Sequence, residues 1–276
     1  MRTKKNIYFF EINDIIANQM KLPYSTGLIW SHCLLDKKIR DNYNLDGWFY
    51  YRDDIDKIFN EIENPSVVGF SCFVWNWKFS KKIAKKIKDK WPDCTIVFGG
   101  WYPPFSDRSE GFFKENSYVD IIAHGEGELT FKDILLEKLK EEKDRDWKVV
   151  EGCSVKNDDL STYVTPPRLR IQDLNSMPSP YLNGLFDGLI EDCPYVLEAT
   201  LETTRGCPYQ CTFCEIGTKY YQKIKWQELE KVFKEIDWMS ENKVEFVYNA
   251  DSNFGLLPEH LEVTKYFVKK KTETGY

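Results

Sequence analysis

Three cysteines, Cys207, Cys211 and Cys214, form a Cys-x3-Cys-x2-Cys run within Arg205-Gly206-Cys207-Pro208-Tyr209-Gln210-Cys211-Thr212-Phe213-Cys214. Thiolates this close in sequence can converge on one centre when the loop curls, and Gly206 and Pro208 supply the turn. Their number is informative. A structural zinc site takes four protein ligands, whereas a [4Fe-4S] cluster held by three thiolates keeps one iron open for another molecule. No fourth ligand stands nearby, since Cys193 precedes the run and His260 lies far downstream. An iron-sulfur centre is therefore the expectation, with a zinc-stabilised interaction module as a rival.

The first half carries a different set of chemical loops. One reads Gly69-Phe70-Ser71-Cys72-Phe73-Val74-Trp75-Asn76, a second Gly99-Gly100-Trp101-Tyr102-Pro103, and a third His124-Gly125-Glu126-Gly127-Glu128. Glycines permit close backbone approach, Ser71, Asn76 and Glu126 offer hydrogen bonds, and Phe73 and Trp75 offer flat apolar surface. Such loops suit a large flat ligand with polar amide edges. A plain dinucleotide site is not expected: Gly-x-Gly-x-x-Gly is missing from the loop after Ile12, and Glu126 and Glu128 would repel phosphate. The bland reading of these residues is packing, with the two glutamates stabilising a helix N-terminus.

The loops need a scaffold, and the hydrophobic pattern supplies one. Strands are expected at Asn6 to Glu11, Gly47 to Tyr51, Ser66 to Cys72, Thr95 to Gly99 and Val119 to Ala123. Helices are expected near Ser25 to Asn42, Asp53 to Asn64, Phe79 to Trp91, Arg108 to Asn116 and Glu128 to Glu142. That alternation predicts an α/β fold with a parallel sheet, whose ligand loops follow the strands. In the helix at Phe79, Ile83 and Ile87 form the buried stripe, and Lys81, Lys82, Lys85, Lys86 and Lys88 a solvated face. Trp147 to Val164 reads as a hairpin, and Pro166, Pro167, Pro178 and Pro180 punctuate a linker. A second alternation follows, with strands at Tyr195 to Thr203 and Val244 to Tyr248 and helices near Trp226 to Ser240 and Pro258 to Lys271. The expected division is 1–145, 146–192 and 193–276. Two strands cannot bury both faces of a parallel sheet, so the last domain reads as cut off in its middle.

Composition bounds the function classes. The chain has 276 residues with 42% hydrophobic and 30% charged residues, enough for one or two packed domains. Mean hydropathy of -0.51 argues against lipid-embedded segments. A net charge of -6 offers no basic footprint for nucleic acid. The apolar run Ile7 to Phe10 is too short for the core of a secretory signal, so a cytoplasmic, reducing setting is expected and the eight cysteines are not read as disulfides. Cys33, Cys94 and Cys153 are expected as buried fillers and His260 as a surface or capping residue.

The cysteine run, including Phe213 before its last cysteine, resembles the radical S-adenosylmethionine (SAM) enzymes. With Gly99-Gly100, Gly125-Glu126-Gly127-Glu128 and Pro178-Ser179-Pro180-Tyr181 in that order, the chain resembles the cobalamin-binding branch of that family essentially along its length. The resemblance implies an N-terminal Rossmann-like sheet of the cobalamin-binding type followed by the first part of a radical SAM partial barrel. It implies that Cys207, Cys211 and Cys214 hold a [4Fe-4S] cluster, that Phe213 lies beside the adenine of SAM, and that SAM is cleaved to a 5'-deoxyadenosyl radical. Asp251 and Asn253 would bind the SAM amino group or else form a turn and cap, since no literal Gly-Gly-Glu is present. Glu202 and Arg205 would touch SAM or else pair with each other. Ser71, Cys72, Phe73, Trp75, Asn76, Gly99, Gly100, Gly125, Glu126 and Gly127 would line cobalamin. The Asp-x-His-x-x-Gly motif is absent, so no protein histidine is expected on cobalt.

The function this implies is a cobalamin-dependent radical SAM enzyme, with methyl transfer to a small-molecule or peptide substrate as one outcome. An electron donor such as flavodoxin or ferredoxin is implied as partner, with no nucleic acid and no membrane. The alternative is a cofactor-binding or metal-stabilised fragment without turnover.

Overall fold

In the first strand Ile7, Tyr8, Phe9, Phe10 and Ile12 are all buried, the signature of a sheet covered on both faces. The computed structural model describes residues 3–191, 193–217 and 219–276. Its strands are β1 (Lys5–Asn13), β2 (Gln19–Lys21), β3 (Tyr43–Tyr51), β4 (Pro65–Ser71), β5 (Thr95–Gly99), β6 (Ile121–Ala123), β7 (Cys153–Lys156), β8 (Thr162–Val164), β9 (Val196–Leu201), β10 (Thr204–Arg205), β11 (Lys225–Trp226) and β12 (Phe246–Asn249). The α-helices are α1 (Tyr24–Cys33), α2 (Lys37–Asn42), α3 (Ile55–Asn60), α4 (Trp77–Lys90), α5 (Phe112–Glu115), α6 (Gly127–Lys138), α7 (Asp187–Ile190), α8 (Leu229–Glu241) and α9 (Glu259–Thr274).

Residues up to Asp14 form one unit with His32–Leu169, and Ile15–Ser31 form another with Arg170–Tyr276. The first unit holds a sheet of order β3-β1-β4-β5-β6-β7-β8. Strands β3, β1, β4, β5 and β6 run parallel, and β7 and β8 continue it antiparallel. Side chains of alternate residues point to opposite faces, so Tyr8, Phe10, Val68, Phe70, Ile96 and Phe98 join Ile83 and Ile87 of α4 in one core cluster. Rings of Phe49, Phe10, Phe70 and Phe98 run across it with successive centroids 4.8, 4.7 and 5.0 Å apart. On the other face Phe9 meets Phe131 of α6 at 5.0 Å.

Several expectations change. The helix expected at Ser25 to Asn42 is two helices, because the Asp36 side chain accepts from the Lys38 amide and caps a new start. The stretch Arg108 to Asn116 yields only a 3₁₀ turn (Ser106–Ser109) and the short α5. Lys88 is not part of a solvated face: its ammonium bonds Asp120 at 2.8 Å and the Cys94 carbonyl at 2.6 Å. The hairpin assigned to 146–192 extends the first sheet instead, because β7 pairs with β6.

The second unit corrects the two-strand expectation. Ala17 and Asn18 take left-handed φ of 51° and 64°, turning the chain into β2, which pairs in parallel with β9. The resulting sheet has the order β12-β9-β2. Segment 15–31 therefore belongs with the second unit and not with 1–145. Leu197, Ala199 and Leu201 are buried, as are Val232, Ile236 and Met239 of α8. Strand β2 is too short to pair the whole of β9, and the Tyr181 hydroxyl takes over: it donates to the Thr200 carbonyl at 2.7 Å and accepts from the Thr200 amide at 3.0 Å. This is the structural work of the Pro178-Ser179-Pro180-Tyr181 run.

Candidate functional site

The cysteine loop leaves the carboxyl end of β9 through β10 and returns through β11. Strands β10 and β11 pair antiparallel, Thr204 opposite Trp226 and Arg205 opposite Lys225. Just inside that neck the Cys207 amide donates to the Tyr221 carbonyl at 2.8 Å. Gly206 has φ 115°, and a Cβ there would stand 2.5 Å from the Lys223 carbonyl oxygen and 2.8 Å from that of Tyr221, so only glycine closes this neck. The loop then curls in successive turns, Cys214 amide to Cys211 carbonyl at 3.1 Å and Gly217 amide to Cys214 carbonyl at 3.0 Å. All three thiols are free, with Cys207 buried, Cys214 half-buried and Cys211 exposed. Among the described residues no three His, Cys, Asp or Glu side chains converge closely enough to hold a metal ion. The three thiols share one curled loop. The donor chemistry, three free thiols and no nearby fourth, fits a cluster with one open iron.

Asp251 proves to be a brace for this loop. Its carboxylate is fully buried and accepts from the Thr203 amide at 2.7 Å, the Thr204 amide at 2.9 Å and the Thr203 hydroxyl. His260 faces it, Nε2 lying 3.5 Å from Oδ2, while His260 Nδ1 accepts from the Gly255 amide at 2.7 Å. His260 is thus buried and not a surface residue, with the Phe254 ring stacked on it at 4.6 Å. Both oxygens of Asp251 thus serve the root of the loop. Asn253 differs, since its buried Nδ2 has no hydrogen-bond partner. Glu202 and Arg205 pair with each other in a bidentate bridge, at 2.8 and 2.7 Å. Phe213 is 91% exposed. Next to the loop, one face of the β12-β9-β2 sheet is open, with Phe246 and Tyr248 exposed, Lys21 3.7 Å from Glu198 and its ammonium 4.2 Å over the Tyr248 ring.

In the first unit the carboxyl ends of β1, β3 and β4 are tied together. Strand β1 has β3 on one side and β4 on the other, the place where strand order reverses and ligands bind in open parallel sheets. Asn76, 1% exposed, donates from Nδ2 to the Ile12 carbonyl at 3.0 Å and the Ser71 carbonyl at 2.9 Å, and its oxygen accepts from the Phe73 amide at 2.8 Å. These bonds curl the loop so that Phe73 and Trp75 stack face to face at 4.6 Å, with Trp75 Nε1 bonded to Asn13 Oδ1 at 3.2 Å. Arg52, bridged to Asp14, donates to the Trp75 carbonyl at 2.8 Å. Arg52 and Asn13 were not expected here, because isolated polar residues at strand ends carry no spacing signal.

The expected lining splits accordingly. Cys72 is fully buried in the core cluster, with its thiol pushed far up by burial. Ser71, Asn76 and Glu126 are also buried, and the Asn76 side chain holds its loop. Trp75, Gly100 and Gly125 are exposed, and Phe73, Gly99 and Gly127 partly so. Gly100, at φ 87°, is required because a Cβ would stand 2.6 Å from the Cys72 carbonyl oxygen. His124 is held inside the first unit. Its Nε2 bonds the Ser154 hydroxyl at 2.7 Å, Nδ1 accepts from the Ser106 amide, and burial pushes its pKa down to about 4. The surface left for a flat ligand is a stacked aromatic pair beside glycine backbone.

Residues 39–135 match the B12 binding domain family. The chain is 32% identical to a 2-(S-pantetheinyl)-carbapenam-3-carboxylate methyltransferase of Streptantibioticus cattleyicolor, over 99% of this chain and 39% of that protein. It is also 32% identical to the cobalamin-dependent radical SAM methyltransferase TokK of Streptomyces tokunonensis, over 98% of this chain and 39% of that one. The chain belongs to the cobalamin-binding radical SAM family. The cobalamin-dependent radical SAM enzyme OxsB, solved with aqua-cobalamin and SAM bound, shares its fold with a TM-score of 0.69 at 22% identity, over 98% of this chain and 37% of that one. This chain thus spans about two fifths of the length of the curated relatives. Among the described residues no helix is long and apolar enough to cross a membrane.

Proposed function

We propose that this chain forms the cobalamin-binding and cluster-binding part of a radical SAM methyltransferase. The observation that carries the reading is the Cys207, Cys211, Cys214 loop at the carboxyl end of a parallel strand, in a chain whose relatives at 32% identity are named methyltransferases. When bound, a [4Fe-4S] cluster with SAM and cobalamin would supply radical generation and a methyl donor. The chain's own residues have separate tasks. The three thiols would hold the cluster, and the pinched neck keeps their loop at the end of β9. Phe213 is free to cover an adenine ring, and Asn253 offers an unpaired donor at the end of β12. Phe73 and Trp75 would lie along the corrin and exclude water from it, with Gly99, Gly100, Gly125 and Gly127 allowing its amides to reach backbone. His124, already bonded to Ser154 and buried, would stay off cobalt. A flavodoxin- or ferredoxin-like donor would supply the electron, and a small molecule or peptide would receive the methyl group.

The deciding experiment is anaerobic iron and sulfide analysis of the reconstituted chain with EPR before and after SAM, alongside an absorbance titration with cobalamin. We expect about four irons per chain, a signal that SAM perturbs, and a bound corrin. Stoichiometric zinc with neither response refutes the reading. The open face of the β12-β9-β2 sheet favours a second one, in which these residues bind the cofactors without turnover. Cleavage of SAM by the chain alone would dismiss it.

A further inference from the structure

Arg170 lies in the proline-punctuated segment before the second unit's sheet, where nothing in its spacing suggested a role. It is 8% exposed, and its guanidinium spans the neck of the cysteine loop: Nη1 donates to the Lys223 carbonyl at 2.6 Å and Nη2 to the Arg205 carbonyl at 3.0 Å. Those carbonyls belong to the strand entering the loop and the segment leaving it. Nη1 also stands 3.1 Å from where a Gly206 Cβ would be, and the Tyr221 ring lies 5.4 Å from the guanidinium carbon. Two residues on, Gln172 accepts from the Lys225 ammonium at 2.7 Å and donates to the Arg170 carbonyl at 2.6 Å. Residues 170–172 thus run as a strap beside the neck.

We propose that Arg170 is the positioning residue that shuts the neck of the cysteine loop and keeps Cys207 enclosed. A planar fork with several fixed donors can hold two carbonyls at once, whereas a lysine ammonium on a flexible stem is a poor substitute for that geometry. Thiolate ligands must be held in place for a cluster to persist, so the same clamp would slow iron loss. That consequence rests on the cluster reading above; the closure of the neck does not.

The test uses the whole reduced chain without metal, treated with iodoacetamide and read by peptide mass spectrometry. Exposed Cys211 is the internal reference, and buried Cys33, Cys72, Cys94 and Cys153 report global unfolding. We expect Arg170→Ala to raise the Cys207 rate at least tenfold while Cys211 stays within twofold and the buried four remain unmodified. Arg170→Lys should fall between. Gly206→Ala, whose Cβ strikes the Lys223 and Tyr221 carbonyls, should open the same neck and is the positive control, and Arg170→Lys decides the matter if Arg170→Ala unfolds. A Cys207 rate within twofold of the parent in every folded Arg170 variant overturns the proposal. Reconstituted Arg170→Ala should also lose iron to a chelator at least fivefold faster than the parent. A parent chain that takes up no iron and sulfide, while Arg170→Ala still unmasks Cys207, would refute the cluster reading and leave the clamp standing.

Discussion

Glu235 gives the second unit a pH dependence of predictable sign. It sits on α8, 1% exposed, with Oε2 lacking any hydrogen-bond partner and the Ser179 hydroxyl bonding its carboxyl. Burial dominates and pushes its pKa from 4.5 up to about 7; Ser179 and the Lys231 ammonium act against that, and Glu202 acts with it. The nearby Tyr24 hydroxyl is pushed well above its ordinary range by burial and does not titrate in this window. Because the folded state holds the proton more tightly, the stabilisation is complete below about pH 4.5 and is lost as pH rises through about 7. A displacement of that size corresponds to about 3 kcal/mol. Glu235→Gln keeps the shape and removes the charge. Its stability relative to the parent should therefore climb by about 3 kcal/mol between pH 4.5 and 8 and then level off. Amide hydrogen exchange of α8 across that range, in parent and variant, reads the second unit specifically. Parallel profiles, differing by a constant to within about 0.5 kcal/mol, would show that the carboxyl titrates alike in the folded and unfolded states and would refute the burial argument.

His124 should act in the opposite direction in the first unit. Its folded pKa of about 4 lies below the ordinary 6.5, so stability is present above 6.5 and lost as pH falls toward 4, by about 3 kcal/mol. Exchange in β6 and α6 should show this loss, and His124→Gln should flatten it. Asp251→Ala removes the acceptor for two amides and a hydroxyl at the root of the cysteine loop, and should cost about 2 to 4 kcal/mol in denaturant unfolding, with Asp251→Asn costing less. At the sheet end the two residue classes should separate. Trp75→Ala should weaken cobalamin binding about tenfold in an absorbance titration, roughly the loss of one aromatic contact, with little change in melting temperature. Asn76→Ala should instead destabilise by about 2 to 3 kcal/mol, because it strands two carbonyls and an amide.

Legibility differed sharply between kinds of residue. The cysteine run was readable because a cluster needs several ligands of one type at short spacing, and local spacing is visible in a linear chain. The alternation of strands and helices along the first unit was readable because continuous apolar runs alternate with amphipathic helices. Strand β2 was not, since three residues carry no periodicity and their partner β9 lies far along the chain. Asn76 and Asp251 stood in the sequence as ligand candidates near strand ends, and the structure shows their side chains bonded to neighbouring backbone groups. Residue type states what a side chain can bond, but whether its bonds are already spent inside the protein depends on neighbours brought together by folding.

The sequence by itself therefore determined the family, the α/β alternation, the three thiols and the glycine-lined strand ends, all of which rest on periodicity or short spacing. The tertiary structure alone decided that 15–31 completes the second sheet, that Asp251 and Glu202 are braces, and that Arg170 spans the neck of the cysteine loop. The reason is physical: a buried polar side chain must find partners, and those partners are chosen by proximity in space, which chain distance does not encode.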